Sequence, residues 1–161
     1  MTQHSDQDRV WSLIERIGFC MMVTHDGGTD AMRARPMHAH PNRDEDAIYF
    51  LTDVRDRKDE EVEINDSVCL TFADNGSYVF VSVSGSANIL DDRAKVHDLW
   101  DVGAQAFWEN KDDPNIRVLR VRPESAEFWD SPGKIVSAVK MAAAAITGTR
   151  PDLGDNRKVR L

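Results

Sequence analysis

Five cations stand close together in an otherwise acidic chain. Arg33, Arg35, Arg55, Arg57 and Lys58 fall within 26 residues of a sequence whose formal net charge is −8. In an extended segment side chains alternate, so Arg33, Arg35 and Met37 point one way while Ala34, Pro36 and His38 point the other. Pro36 cannot donate to a ladder, which puts this strand at an edge or a bulge. Thr52 ends the next strand, and Lys58 follows about one helical turn into the segment after it. If those two strands pair, an Arg side chain converges with the Thr–Lys region. Two cations, a hydroxyl and free backbone N–H groups suit a dianionic phosphate, Arg by bidentate hydrogen bonds and Lys as a point charge. The competing reading pairs these bases with Asp53, Asp56, Asp59, Glu60 and Glu61 on a solvated surface, the usual fate of a charge run.

Other reactive residue types are less telling. His38 and His40 form His-x-His on one strand face, a spacing metal sites can use. The sequence places no third ligand, so a partly buried or surface pair is the simpler reading and no metal is expected. Ser82, Ser84 and Ser86 share a strand face, but there is no nucleophile elbow and no placed His–Asp pair, which argues against a hydrolase. Cys20 and Cys69 lie in strand-like apolar runs and read as small buried hydrophobes in a reducing compartment.

The elements that must position these groups follow from periodicity and turn chemistry. Ser5 and Asp8 make a capping-box pattern, Val10, Leu13, Ile14 and Ile17 recur at helical spacing, and Gly18 ends a helix over 6–17. Phe19 to His25 is rich in strand formers, Asp26-Gly27-Gly28 signals a turn, and 31–40 returns as the second strand of a hairpin. A loop over 41–46 leads to a third strand over 47–52, and the charged 53–66 segment has weak helical periodicity. Strands follow over 68–73 and, after the Asp74-Asn75-Gly76 turn, over 78–90. Asp91 or Asp92 caps a helix whose Val96, Leu99, Trp100, Ala104 and Phe107 share a face. A last strand spans 116–122, a helix spans 134–146, and 148–161 reads as a polar surface tail. Six strands joined largely by tight turns favour an antiparallel barrel over a parallel sheet, whose neighbours need long crossovers.

Composition bounds the remaining possibilities. A chain of 161 residues suits one domain, here 1–147 with the tail 148–161. With 41% hydrophobic and 30% charged residues it is an ordinary soluble globule, neither disordered nor disulfide-dependent. A charge of −8 argues against long polyanions and anionic lipid as partners, yet leaves the 33–58 segment suited to one small phosphate. Met1 to Val10 is polar, and 141–146 is far too short to span a bilayer, so a cytoplasmic location is expected.

One ordered set of segments is similar to a known family. Arg33-Ala34-Arg35-Pro36-Met37, Tyr49-Phe50-Leu51-Thr52 and Lys58 come first. They are followed by Val81-Ser82-Val83-Ser84-Gly85-Ser86-Ala87, Asp91-Asp92-Arg93, Leu99-Trp100, Asp112-Asp113-Pro114 and Glu127-Phe128-Trp129-Asp130. Together they resemble the FMN-binding split barrels related to pyridoxamine 5′-phosphate oxidase, in particular the general stress protein 26 branch, over roughly residues 8–147. The resemblance implies a mainly β, α+β fold: a six-stranded antiparallel Greek-key split barrel with flanking helices, working as a homodimer with FMN in clefts at the subunit interface. Arg35 and Lys58 match the family's phosphate-binding cations. Arg33, Pro36, Met37 and His38 match the strand along the isoalloxazine, and Leu51 and Thr52 match the strand end beside the ribityl phosphate. Trp108 and Trp129 are placed either to close the cleft by stacking or to pack in the core or dimer interface. Asp56 departs from the oxidase pattern, which has a serine there. A carboxylate repels phosphate unless it turns outward, and Arg57 beside Lys58 is positioned to compensate. The oxidase's C-terminal substrate-binding Arg and His pattern has no match, so vitamin B6 chemistry is not implied.

The expected function is therefore a flavin-dependent oxidoreductase with a stress-related role, its substrate open and a reduced nicotinamide NAD(P)H one candidate donor. The alternatives are a protein that buffers flavin without turnover, or the same barrel holding deazaflavin F420 or haem. The longer acidic tail of F420 sits poorly with a net charge of −8. His25, His38, His40 and His97 offer haem ligands, but none lies in a recognisable haem motif.

Overall fold

The computed structural model describes residues 3–55, 57–130, 134–150 and 155–161, and the side chains within them except at 3, 4, 57–59, 134–137 and 155. The helix α1 (Gln3–Ile17) buries Val10, Leu13 and Ile14 completely on one face. It ends where the sequence places the stop: Gly18 takes φ +73° and returns its N–H to the Ile14 carbonyl at 2.9 Å.

The strands are β1 (Phe19–His25), β2 (Met32–His38), β3 (His40–Asn42), β4 (Ala47–Asp53), β5 (Ser67–Asp74), β6 (Val79–Leu90), β7 (Ile116–Asp130) and β8 (Asp155–Arg160). They form one antiparallel sheet in the order β2-β1-β5-β6-β7-β4-β3, with β8 also on β7. β2 and β3 thus occupy opposite ends of the hydrogen-bonded path, yet only Ala39 separates them in sequence. The sheet has to curl until those ends approach, and this gives the expected split barrel. β2 is an edge strand, which is where Pro36 is tolerated.

The barrel interior is filled by Met22, Phe50, Leu70, Phe72, Val81, Val83, Leu119 and Val121, all at most 1% exposed, with α1 as the lid. Burying such side chains is worth about 1.5–3 kcal/mol each. β4 is apolar on both faces because a second, smaller core lies behind it. There Ala47, Tyr49, Ile116 and Val118 meet Val96 of α3 (Arg93–Leu99). Lys95 ties α3 to the same place, with its Nζ 3.1 Å from Glu45 and 4.4 Å from the centre of the Tyr49 ring.

Several expectations change. The sheet has eight strands rather than six. Part of the 41–46 loop is strand β3 and a 3-10 turn, and it is β3, not β2, that pairs with β4. β7 does not stop at Arg122. It continues through Pro123 across a bulge opposite Gly85, where an added Cβ would come within 2.2 Å of the Arg122 carbonyl oxygen. The polar stretch read as a tail supplies β8, and Val159 is buried by it. The helix capped by Asp92 ends at Leu99 instead of running on to Phe107. Asp101 accepts from the Ala104 N–H at 2.8 Å and starts a new turn, which resets the phase. Phe107 is therefore 80% exposed, and Trp108 takes the inward place. α2 (Arg57–Ile64) fills the weakly periodic charged segment, and α4 (Lys134–Thr147) leaves Val139, Met141 and Ile146 exposed. Among the described residues no helix is long and apolar enough to cross a membrane.

Candidate functional site

The site is built on β2, the end of β4 and α2. Pairing with β1 sets Arg33 opposite Thr24, Arg35 opposite Met22 and Met37 opposite Cys20, all three of them buried residues. Arg35 donates through Nη2 to Glu61 Oε1 at 2.7 Å and through Nη1 to Thr24 Oγ1 at 3.0 Å. Thr24 in turn donates to Glu61 Oε2 at 2.7 Å. Glu61 is 2% exposed, so Arg35 bolts α2 to the hairpin through a buried charge pair. Burial pushes the Glu61 carboxyl up, but the hydrogen bonds from Arg35 and Thr24 outweigh it and hold the group below its ordinary value. Two of the five guanidinium N–H groups of Arg35 are engaged in this clamp. Arg33 reaches Asp26 across the hairpin turn at 3.2 Å.

The end of β4 is equally well fixed. Leu51 is half-buried beside the second core, and Thr52 is 1% exposed. Asp53 receives Arg55 Nε at 2.7 Å, the Arg55 backbone N–H at 2.9 Å and the Trp108 indole N–H at 3.0 Å. These donors, Arg55 above all, hold the Asp53 carboxyl far below the usual carboxylate range despite its burial. Trp108 is thereby pinned next to the β4 end from which the chain enters α2. Arg57 and Lys58 open α2, and their side chains lie outside the described residues, as does Asp56 entirely.

The structure thus ties Arg35 to α2 through Glu61 and Trp108 to the end of β4 through Asp53, while Arg33 faces Asp26 at the hairpin turn and Leu51 and Thr52 lie on opposite faces of β4. Trp129 is elsewhere. It pairs with Phe80, eleven residues along β7 from the partner of Leu51, on the outer sheet face with the partly exposed Phe19 and Met21. His38 is half-exposed at the far end of β2, its ring stacked on Phe19 at 4.8 Å. An open groove of about 1010 Å³ runs along β7 and β8 past Ser82, Ser84, Arg122 and Lys158, and none of the sequence-predicted residues lines it. Cys20 is buried, which pushes its thiol up to about 12, so it stays protonated and inert.

The competing pairing holds for two of its carboxylates, since Asp53 takes Arg55 and Glu61 takes Arg35, although Glu61 is buried rather than solvated. The sequence hid two contributors, Thr24, because a threonine in a strand carries no signal of such a contact, and Asp101. Asp101 lies in what periodicity presents as helix interior. In the structure its Oδ2 faces His38 Nδ1 at 3.4 Å and His40 Nε2 at 3.9 Å. Burial, and then the neighbouring His38, draw His40 below the usual histidine value, with Asp101 opposing them.

Comparison with known proteins adds an independent line. The sequence profile described as pyridoxamine 5′-phosphate oxidase like matches residues 5–152. General stress protein 26 of Bacillus subtilis (strain 168) is 29% identical over 91 residues, 52% of this chain and 62% of that protein. The general stress FMN/FAD binding protein of Xanthomonas citri superposes with a TM-score of 0.68 at 29% identity, covering 79% of this chain and 89% of that one. A Clostridium acetobutylicum protein related to general stress protein 26, of the pyridoxinephosphate oxidase family, shares the fold with a TM-score of 0.71 at 18% identity over 100% of this chain and 97% of that one.

Proposed function

The chain belongs to the pyridoxamine 5′-phosphate oxidase-like family, and from that premise we propose that it is an FMN-binding flavoprotein acting as a homodimeric oxidoreductase with a stress-related role. The reading is supported by the family match together with Arg35 tied to Glu61 of α2 and Arg55 and Trp108 tied to Asp53, where β4 ends just before α2. The Xanthomonas citri relative, described as binding FMN or FAD, supports the flavin class.

The donor set fits such a group. Arg33 and Arg35, with the Arg57 and Lys58 that open α2, would hold the phosphate, and the first amides of α2 add N–H donors. Asp26, Asp53 and Glu61 are each paired with an arginine (Arg33, Arg55 and Arg35), so the net positive charge offered to a phosphate would come chiefly from Arg57 and Lys58. Pro36, Met37 and His38 would lie along the ring and Leu51 and Thr52 beside the ribityl chain, with Trp108 or a partner's Trp129 closing the cleft. A bound flavin supplies redox chemistry, while the chain's residues bind it, orient it and exclude water. A second copy would cover the apolar sheet face of Phe19, Met21, Phe80 and Trp129 and the apolar residues on α4.

The test is a flavin titration of the cofactor-stripped protein, followed by absorbance and by reduction with NADH or NADPH. FMN should bind in the micromolar range or tighter, and Arg57→Glu with Lys58→Glu should weaken it at least tenfold, each charge reversal removing a phosphate contact. Wild-type affinity in that variant overturns the phosphate assignment, and no flavin binding overturns the function. Binding without reduction by any donor points instead to flavin storage.

A further inference from the structure

We propose that His38, His40 and Asp101 form a binding site for a divalent transition-metal ion of the zinc class, which shares His38 with the residues that would line a flavin ring and none with those that would hold its phosphate. Among the described residues this is the one group of His, Cys, Asp or Glu whose ligand atoms converge, all within 4.8 Å of one another. His38 ends β2 and His40 begins β3, on either side of Ala39, where the barrel closes on itself. Asp101 comes from the loop after α3, and its Oδ2 lies 3.4 Å from His38 Nδ1 and 3.9 Å from His40 Nε2. Tetrahedral zinc with bonds of about 2.1 Å separates its ligands by about 3.4 Å. The Asp101–His38 spacing already matches, the Asp101–His40 spacing must close by about half an ångström, and the two imidazole nitrogens, within 4.8 Å, by at most about 1.4 Å, a side-chain adjustment.

The surroundings hold the ligands in place. Asp101 Oδ1 is occupied by the Ala104 N–H at 2.8 Å, which leaves Oδ2 as the oxygen that faces the imidazoles. Phe19 stacks on the His38 ring at 4.8 Å and 22°, fixing its plane. Such supporting contacts orient ligands in metal sites of many kinds. Gly103 gives a further indication. Its φ of −64° is open to any residue, so backbone conformation does not call for glycine there. A Cβ at 103, however, would lie 3.1 Å from Asp101 Oδ1 and 3.8 Å from His38 Nδ1. The glycine keeps space open beside the cluster. His38 and Asp101 are 40% and 37% exposed, so an ion held by three protein groups retains a fourth position open to water or a small anionic ligand. Two nitrogens and one carboxylate suit zinc, iron(II) or cobalt(II) and suit calcium or magnesium poorly.

The experiment uses the full-length, untagged protein, stripped with EDTA and then dialysed against micromolar zinc chloride. Bound metal is counted by plasma emission, and flavin content is read separately from absorbance, so failure of the flavin reading does not touch this result. About one zinc per chain is expected for the wild type, with at least tenfold weaker binding in Asp101→Asn and His40→Ala. Gly103→Val, which fills the open space, should also weaken binding. Thermal midpoints in EDTA should match the wild type, while zinc should raise the wild-type midpoint alone. Absence of zinc from the wild-type protein overturns the proposal. So does zinc retained equally by the Asp101→Asn, His40→Ala double variant, which would be an adventitious ion only.

Discussion

Strand β2 carries an arginine at its middle and a histidine at its end, and the two behave differently. At Arg35 the charge is answered inside the protein: two hydrogen bonds and a carboxylate only 2% exposed close the network, with every distance at or under 3.0 Å. At His38 the groups meet at 3.4 and 3.9 Å, half-exposed, with neither distance that of a tight hydrogen bond. The first arrangement is a clamp. Removing one partner strands a buried charge, so its worth is structural. The second is a set of donors brought together without satisfying one another, the condition in which a ligand has something to gain. One edge strand thus commits two of the Arg35 N–H groups to stability and leaves its terminal histidine free for ligand chemistry.

That contrast can be broken by mutation. Arg35→Met leaves Glu61 buried and unpaired and should cost about 3 kcal/mol in a urea melt, the lower end for a broken buried pair because Arg35 is 22% exposed. If the loss is under about 1 kcal/mol, Arg35 is not a clamp and the distinction fails. The same pair has a pH signature. Because the folded Glu61 carboxyl lies below its ordinary value, its contribution is complete above the unfolded value near pH 4.3 and disappears as pH falls through the folded one. In Arg35→Met the buried carboxyl is instead driven up. The stability gap between the two proteins should therefore be widest at neutral pH and narrow on acidification, which urea midpoints at several pH values will show.

Smaller effects sharpen the picture. Trp108→Phe removes the indole donor to a buried Asp53 and should cost about 1–2 kcal/mol by the same melt, together with weaker flavin retention. Asp101→Asn without metal keeps an acceptor for the Ala104 N–H, so its cost should stay within about 0.5 kcal/mol. Phe107→Ala should be nearly silent, since that ring is 80% exposed. A loss above about 2 kcal/mol there would restore the continuous helix that periodicity suggests.

What could be read in advance follows from where the signal lives. Alternating and helical apolar patterns, with turn chemistry, mark α1, the β1–β2 hairpin, β4, β5 and β6 because their buried residues recur at fixed spacing. β8 stayed hidden because Asn156, Arg157 and Lys158 are polar and its pairing is through backbone, with Val159 the buried side chain. Pro123 disguised the second half of β7, since a bulge lets a proline sit inside a long strand. Within the site, the basic cluster, the set of carboxylates it draws on and the His-x-His pair were legible, but which carboxylate is buried against which base, and the partner of the histidines, were not. Glu61 is one of several carboxylates in a charged run, and Asp101 meets His40 from 61 residues away, only because α3 stops at Leu99.

The contact between the first helix and the last strand bears on how the chain is made. Gln7 donates to the Arg160 carbonyl at 2.7 Å, and Arg157 reaches Asp6 at 3.2 Å, pairs separated by 153 and 151 positions. Helix α1, which leaves the ribosome well before β8, thus finds these partners only when synthesis has reached that strand. At about 5–20 residues per second one end of α1 waits roughly 8–30 s for its partner, whereas the edge of β7, complete at Asp130, waits only roughly 2–6 s. Through that shorter interval the second half of β7 is an edge open to other nascent chains, and arrival of β8 closes it.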